Sequence, residues 1–101
     1  MSIEPVSVFI EDDTIRILAY SYSDAGVLED CTAVVCTLTD SAAAKKLNAE
    51  AMTKTATGTY QVTYNILPED PHGEWQGLAK LTDGSGGSAK NTNYPFSVKV
   101  M

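Results

Sequence analysis

The residues best suited to chemistry lie around the single histidine. His72 is surrounded by Glu69, Asp70 and Glu74, a set of side chains that could bind a divalent metal or take part in acid–base chemistry. Nucleophilic catalysis also needs an oriented base, a nucleophile and an oxyanion site, and the sequence places none of these beside His72. We therefore predict a solvated corner, no catalytic residue and no enzymatic activity.

Two acidic segments could supply oxygen ligands to calcium. They are Glu11–Asp13 and the loop that contains Asp24, Glu29 and Asp30. Neither follows the Asp-x-Asp-x-Asp-Gly pattern of a dedicated calcium loop. The glycine-rich run DGSGGS also lacks the Lys-Ser/Thr ending of a phosphate-binding loop. We predict no metal site and no cofactor.

The two cysteines, Cys31 and Cys36, are five positions apart. On one continuous strand they would point to opposite faces, whereas a disulfide needs Cα atoms within about 7 Å and converging side chains. No CxxC motif and no Cys/His spacing suited to zinc is present. We predict two free thiols, with Cys36 in the core and Cys31 at a strand start or in a loop.

The elements that must position these residues are β-strands, because apolar side chains recur at every second position. Turn signals at spacings of roughly 8–15 residues favour an antiparallel β-sandwich over βαβ units. The Ala-rich run SAAAKKLNAEAM instead favours a short helical turn or an irregular crossover. We predict a single domain over residues 1–101 with about seven strands. These strands are predicted at Val6–Ile10, Thr14–Tyr20, Cys31–Asp40, Ala51–Thr55, Tyr60–Ile66, Trp75–Asp83 and Tyr94–Val100.

The only tryptophan has the parity of a core residue. Trp75 shares one strand face with Ala79 and Leu81, so we predict that it packs against the strand of Tyr60 rather than stacking on a ligand. Gly77 has the same parity and is predicted to leave room for the Trp75 or the Tyr60 ring.

A series of short motifs runs along the second half of the chain. They are Gly58 and Tyr60, Leu67 and Pro68, Gly73 and Trp75, Asp83 and Gly84, and Phe96 and Val98. This order of a Gly-x-Tyr strand, a Leu-Pro corner, a Gly-x-Trp strand that ends at Asp-Gly, and a final Phe-x-Val strand resembles bacterial, archaeal and phage immunoglobulin-like modules, in which these motifs recur. The resemblance covers nearly the whole chain and implies an immunoglobulin-like β-sandwich. The chain differs from antigen-receptor immunoglobulin domains because it lacks their disulfide between the two sheets.

Charge and hydropathy narrow the range of partners. The net charge of −6 argues against binding to nucleic acid or to an anionic membrane, since both need a basic surface. The first residues do not form a signal peptide, and no apolar run approaches the roughly 20 residues of a membrane-spanning helix. We therefore expect a cytoplasmic or virion-associated protein, or an extracellular one if the chain is an excised module.

Five apolar side chains have the parity opposite to the core of their strands. If they are contiguous, they form an interface for a protein partner or for self-association; the alternative is that they are single exposures scattered over the surface. They are Phe9, Leu18, Tyr20, Val35 and Leu78. The resulting hypothesis is a non-enzymatic structural or protein-binding module, such as a phage or prophage virion accessory protein. The alternative is an excised adhesin-type immunoglobulin-like module that binds protein or carbohydrate outside the cell.

Overall fold

The strands pair into two antiparallel sheets in a computed structural model, which describes residues 6–22, 27–83 and 90–101. Sheet 1 has the strand order β1-β2-β6-β5 and sheet 2 the order β4-β3-β7-β8. The described residues contain eight strands and no helix, which confirms an all-β antiparallel architecture. The strands are β1 (Val6–Glu11), β2 (Thr14–Tyr20), β3 (Ala33–Thr39), β4 (Lys45–Ala51), β5 (Thr53–Ala56), β6 (Thr59–Asn65), β7 (Gly73–Asp83) and β8 (Lys90–Val100).

The two sheets share one core, as the alternating pattern predicts. On β2, Ile15, Ile17 and Ala19 are fully buried, while the residues between them are only half-buried. Each strand thus gives one face to the core and one to the surface. The buried apolar side chains are Ile15, Ile17, Ala19, Val34, Cys36, Leu38, Met52, Tyr60, Trp75, Ala79, Leu81 and Val100.

A tight acidic turn joins β1 to β2 in an antiparallel hairpin. Glu11 pairs with Thr14, and Asp12 and Asp13 between them have φ angles of 48° and 63°. Asp tolerates this left-handed conformation better than most residues, and the turn matches the twist of the hairpin. The carbonyl of Asp13 also accepts a hydrogen bond from the Ile66 N–H at 2.7 Å.

The predicted helical turn in the Ala-rich run is wrong. Lys45–Ala51 forms β4, an edge strand that pairs irregularly with β3 and has a positive φ of 49° at Ala49. Tertiary contacts outweigh the helix propensity of this segment, because Leu47 packs against the core and Lys46 reaches buried carboxylates. The strand predicted at Ala51–Thr55 is present as β5 (Thr53–Ala56), so β4 is the strand that the sequence does not predict among the described residues.

Both cysteines are free thiols, as predicted. Cys36 is fully buried on β3, and Cys31 is half-buried just before that strand. Burial raises the pKa of Cys36 to about 12. Because the thiolate is the reactive form of cysteine, Cys36 is a chemically inert core residue.

Two loops of the chain, around Asp24 and Gly84, are described only in part. Residues 23–26 and 84–89 lie outside the described part of the chain, and they include Asp24 and most of the glycine-rich run DGSGGS, whereas Glu29 and Asp30 are described and exposed. The final strand begins at Lys90, earlier than the predicted Tyr94, and pairs with β7 from Asp83 back to Gly73. β7 and β8 are therefore paired along their whole lengths.

Gly77 makes room for Phe96, and not for the rings that the sequence suggests. The two residues are directly opposite each other on β7 and β8, and a Cβ atom at Gly77 would overlap the Phe96 ring. Phe96 therefore covers β7 at Gly77, a position between Trp75 and Ala79 that has no side chain of its own.

Replacing Gly77 with alanine is expected to lower the free energy of unfolding by about 1–3 kcal/mol, because the added methyl group displaces the Phe96 ring from the core. Urea denaturation of the wild type and the variant measures this loss. The same substitution in a Phe96→Leu background should cost clearly less, because a smaller side chain can move aside. Equal costs in both backgrounds would contradict the proposed contact.

Candidate interaction surface

Three of the five predicted interface residues lie together on the outer face of sheet 1. Phe9 is directly opposite Arg16, and Leu18 and Tyr20 follow Arg16 at alternate positions of β2. Phe9 is 40% exposed, and Leu18 and Tyr20 are half-buried. Residues two apart on a strand are about 7 Å apart, and diagonal neighbours on adjacent strands about 7–8 Å. Phe9, Leu18 and Tyr20 are therefore contiguous.

The same face continues beyond the end of β2. Tyr22 forms an isolated antiparallel bridge with Leu28, and its ring centroid lies 6.5 Å from that of Tyr20. Tyr22 and Leu28 are 37% and 40% exposed. Sequence reasoning missed both, because they lie in a segment without strand periodicity. The spacing of Tyr20 and Tyr22 could have revealed Tyr22, because residues two positions apart on an extended chain point to the same face.

We call this surface the aromatic stripe, defined as Phe9, Arg16, Leu18, Tyr20, Tyr22 and Leu28. The Arg16 guanidinium lies 6.0 Å from the centroid of the Phe9 ring, within the range of a cation–π contact. Arg16 forms no ion pair with another described residue. Gln61 and Thr63 of β6, opposite Leu18 and Arg16, border the stripe with hydrogen-bonding groups. Aromatic and arginine side chains beside a polar rim are typical of protein-binding surfaces.

The other two predicted residues lie on the opposite side of the molecule. Val35 and Leu78 belong to the outer face of sheet 2, where Leu78 is 38% exposed. Leu78 is opposite Thr37 and Pro95, which places Val35 diagonally next to it. The core separates this small apolar spot from the aromatic stripe, so the five residues form two surfaces and not one.

The corner around His72 is only partly solvated. Glu69, His72 and Glu74 are exposed as predicted, but Asp70 is only 4% exposed, so the prediction is wrong for that residue. The Trp75 Nε1–H donates to the Pro71 carbonyl at 3.0 Å. The corner is therefore fixed to the core beneath it.

Asp70 belongs to a buried ionic cluster that the sequence does not reveal. Lys46 Nζ lies 2.9 Å from Asp70 Oδ1 and 3.5 Å from Asp40 Oδ2. The two carboxylate side chains are 1% and 2% exposed. The other oxygen of Asp70 accepts hydrogen bonds from the Tyr64 O–H and the Leu67 N–H, both at 2.8 Å. Lys46 of sheet 2 is thereby connected through Asp70 to Tyr64 of sheet 1.

The turn after β3 completes the cluster. Asp40 Oδ1 accepts hydrogen bonds from the Ala42 and Ala44 N–H groups, each at 2.9 Å. This geometry folds the chain back toward β4 and brings Lys46 into reach. Short side-chain-to-backbone bonds of this kind are common for Asp in turns. The sequence could suggest each turn separately, but not that the two aspartates share one lysine.

The surroundings favour the charged forms of all three ionic groups. The backbone N–H of Leu67, then Lys46 and Tyr64, lower the pKa of Asp70. The N–H of Ala44, followed by that of Ala42 and by Lys46, does the same for Asp40. Asp70 in turn raises the pKa of Lys46. The charged groups of the cluster thus pair with one another and with nearby backbone groups. Through these bonds the cluster connects the two sheets.

Residues 6–22, 27–83 and 90–101 contain no candidate for a membrane-spanning helix. No group of three or more His, Cys, Asp or Glu side chains there is arranged to hold a metal ion. Comparison of the chain with family models, with curated proteins and with solved structures finds no match.

Proposed function

We propose that the protein is a non-enzymatic immunoglobulin-like module that binds a protein partner through the aromatic stripe. The observation that carries the proposal is the contiguity of Phe9, Leu18, Tyr20, Tyr22 and Leu28 along one sheet face, with Arg16 beside Phe9 at one end. Tyr and Arg side chains are enriched among the residues that dominate binding energy at protein interfaces. The most specific form of the proposal is an accessory protein of a phage or prophage virion, found in the host cytoplasm or on the particle.

Two features support the immunoglobulin-like assignment. Two four-stranded antiparallel sheets pack over a common core that contains the tryptophan of the Gly-x-Trp motif. The Leu-Pro corner precedes that strand and is attached to it by the bond from Trp75 to Pro71. Motif residues at Tyr60, Trp75, Phe96 and Val98 all contribute to the core or pack against it.

The buried ionic cluster supports a structural role over a catalytic one. A catalytic acid or base needs a proton-transfer partner in a bound substrate. Lys46, Asp40 and Asp70 instead satisfy one another and nearby backbone groups, and their shifted pKa values favour permanent charges.

Binding of the protein to purified virions of the phage that encodes it tests the proposal. The test variant is Phe9→Ser/Tyr20→Ser, which removes two anchors of the stripe. The matched control is Val35→Ser/Leu78→Ser on the outer face of the opposite sheet. We expect the stripe variant to lose binding by at least about tenfold, because anchors of this type contribute more than 1 kcal/mol each. The control should bind as the wild type does.

Sedimentation velocity separates a foreign partner from a second copy of the chain. A concentration-dependent dimer that the stripe variant abolishes would assign the stripe to self-association. Equal binding of both variants to virions, together with a monomer at every concentration, would refute the stripe as the interface. Unchanged thermal midpoints of both variants are needed as a folding control.

The second candidate, an adhesin-type module, is favoured by the directions of the first and last strands. Val6 pairs with Ala19 at one end of the sandwich. Val100 pairs with Gly73, next to the corner at the other end. A chain that enters and leaves at opposite ends can connect modules in series. Saturable binding of a host surface protein or glycan, without any binding to virions, would favour this candidate.

A further inference from the structure

Strand β1 forms one edge of sheet 1, and among the described strands it pairs only with β2. In an antiparallel ladder, the N–H and C=O groups of successive residues point alternately to the two sides of the strand. The Asp13 carbonyl accepts a hydrogen bond from the Ile66 N–H, so alternate residues of β2 bond to β6 and those between them bond to β1. The register of the hairpin then points the backbone groups of Val6, Val8 and Ile10 outward, in the plane of sheet 1.

The other three edges of the described sheets have features that prevent pairing with a further strand. β4 pairs irregularly with β3 and has a positive φ at Ala49. β5 has only four residues and a register shift beside Lys54. β8 has Pro95, which lacks an N–H, near its centre. Irregular pairing, short strands, lysines and prolines are the usual protection of sheet edges.

β1 has none of these features. Its sequence, VSVFIE, contains no proline and no lysine, and it pairs with β2 in an unbroken register. Two of its large apolar side chains, Phe9 and Ile10, are 40% and 39% exposed. A regular apolar edge of this kind is a template for another strand.

The β1 strand of a second copy matches this edge. With a two-fold axis between the two Val8 residues, Val8 pairs with Val8 and Val6 pairs with Ile10 of the other copy. Each outward N–H and C=O group then has a partner, as in a closed two-fold interface. An axis shifted to Phe9 would instead place Val6 opposite Asp12 of the turn, whose φ is 48°.

The same register covers the exposed apolar side chains of the edge. Ile10 gains Val6 of the second copy as its direct neighbour. The two Phe9 rings become diagonal neighbours on the outer face, about 7–8 Å apart and within reach of each other. The pairing thus removes apolar surface from water on both faces of the joined sheet.

The charges of β1 allow this pairing. Glu11 is the only charged residue of the strand and lies at its end. In the Val8-centred register the two Glu11 residues are about 20 Å apart, so no like charges meet along the ladder. The net charge of −6 on each copy still causes repulsion at longer range. Salt should therefore strengthen the association.

We propose that β1 is a dimerisation edge, along which two copies of the chain pair antiparallel and join their two sheets 1 into one continuous sheet. The edge acts through backbone groups, whereas the aromatic stripe acts through side chains on the face of the sheet. The dimer can therefore exist whether or not the stripe binds a protein partner.

Sedimentation equilibrium combined with amide hydrogen exchange by NMR tests the edge in the wild-type protein. We expect a dimer with a Kd below about 1 mM that tightens when NaCl is raised from about 0.1 to about 1 M. The Val8 and Ile10 amides should exchange more slowly as the protein concentration rises, because they become hydrogen-bonded only in the dimer. The Phe9 amide, which bonds to β2, should be protected at every concentration.

Val8→Pro removes an outward N–H without removing a bond to β2. It should weaken dimerisation at least about tenfold, because the two-fold axis doubles the effect of each lost bond. The matched control is Ser97→Pro. Ser97 is exposed on the β8 edge and shares the outward parity of Pro95, so this variant should dimerise as the wild type does. Protection of the Phe9 amide and an unchanged thermal midpoint show that each variant is folded.

Four results would each overturn the proposal. A monomer at concentrations up to about 1 mM would exclude the dimer. A dimer in which the Val8 amide exchanges as fast as in dilute protein would use another surface, such as the stripe. Equal protection of this amide at all concentrations would mean that the chain covers its own edge. Protection that appears only when virions are added would assign the edge to a strand of a foreign protein.

Discussion

Trp75→Ala is expected to lower the free energy of unfolding by about 3–5 kcal/mol, the usual cost of removing a large aromatic side chain from a core. Trp75 is 0% exposed and heads the largest fully buried side chains of the described chain. Its ring packs against Tyr64 with centroids 5.8 Å apart and an interplanar angle of 54°. The substitution also removes the hydrogen bond to the Pro71 carbonyl.

The loss should be visible in urea denaturation and as a thermal midpoint lowered by roughly 15 °C or more. Trp75→Phe is the matched control. It keeps an aromatic ring in the core and leaves only the Pro71 carbonyl without its donor, so it should cost less than the alanine variant. A Trp75→Ala variant that melts at the wild-type temperature would contradict the placement of Trp75 in the core.

Lys46→Met is expected to destabilise the protein far more than the same substitution at Lys54. Lys46 faces two carboxylates that are at most 2% exposed, and its removal leaves them together without a counter-charge. Removal of one partner from a buried ion pair is strongly destabilising for this reason. Lys54 pairs with Asp30 at 2.6 Å, but these side chains are 51% and 44% exposed, so water can replace the lost partner.

Thermal denaturation of both methionine variants at pH 7 measures the difference. Lys46→Met/Asp70→Asn/Asp40→Asn should recover part of the stability that Lys46→Met loses, because it also removes the unpaired negative charges. Equal destabilisation by Lys46→Met and Lys54→Met would show that the buried ionic cluster contributes no more to the free energy of unfolding than an exposed ion pair does.

The cluster also predicts how stability depends on pH. Asp40 and Asp70 have lowered pKa values in the folded protein, so their contribution is present above the ordinary carboxyl pKa of about 4. It is lost as the pH falls below 4 through the lowered values. Lys46 and Tyr64 have raised pKa values, so stability also falls as the pH rises above about 10. Urea midpoints between pH 2 and 7 should fall less steeply for Asp70→Asn than for the wild type.

Strands with a regular alternation of apolar and polar residues could be predicted from the sequence. Alternation in Thr14–Tyr20 and Trp75–Asp83 assigned Ile15, Ile17 and Trp75 to the core, and the structure places them there. Alternation is a local property, because successive side chains of any strand point to opposite faces. The β1–β2 hairpin follows from a similarly local feature. Two strands joined by a very short turn lie side by side and antiparallel, so they pair.

Which faces and turns come together depends on contacts between distant parts of the chain. The predicted helical turn became β4 because an edge of sheet 2 and two buried carboxylates were available to it. Phe9 and Leu78 share outward parity, but they lie on opposite sheets, and parity does not tell which sheet a strand joins. Asp40 and Asp70 are thirty positions apart. Their meeting at Lys46 depends on pairings between distant strands, and a local pattern contains no information about such pairings.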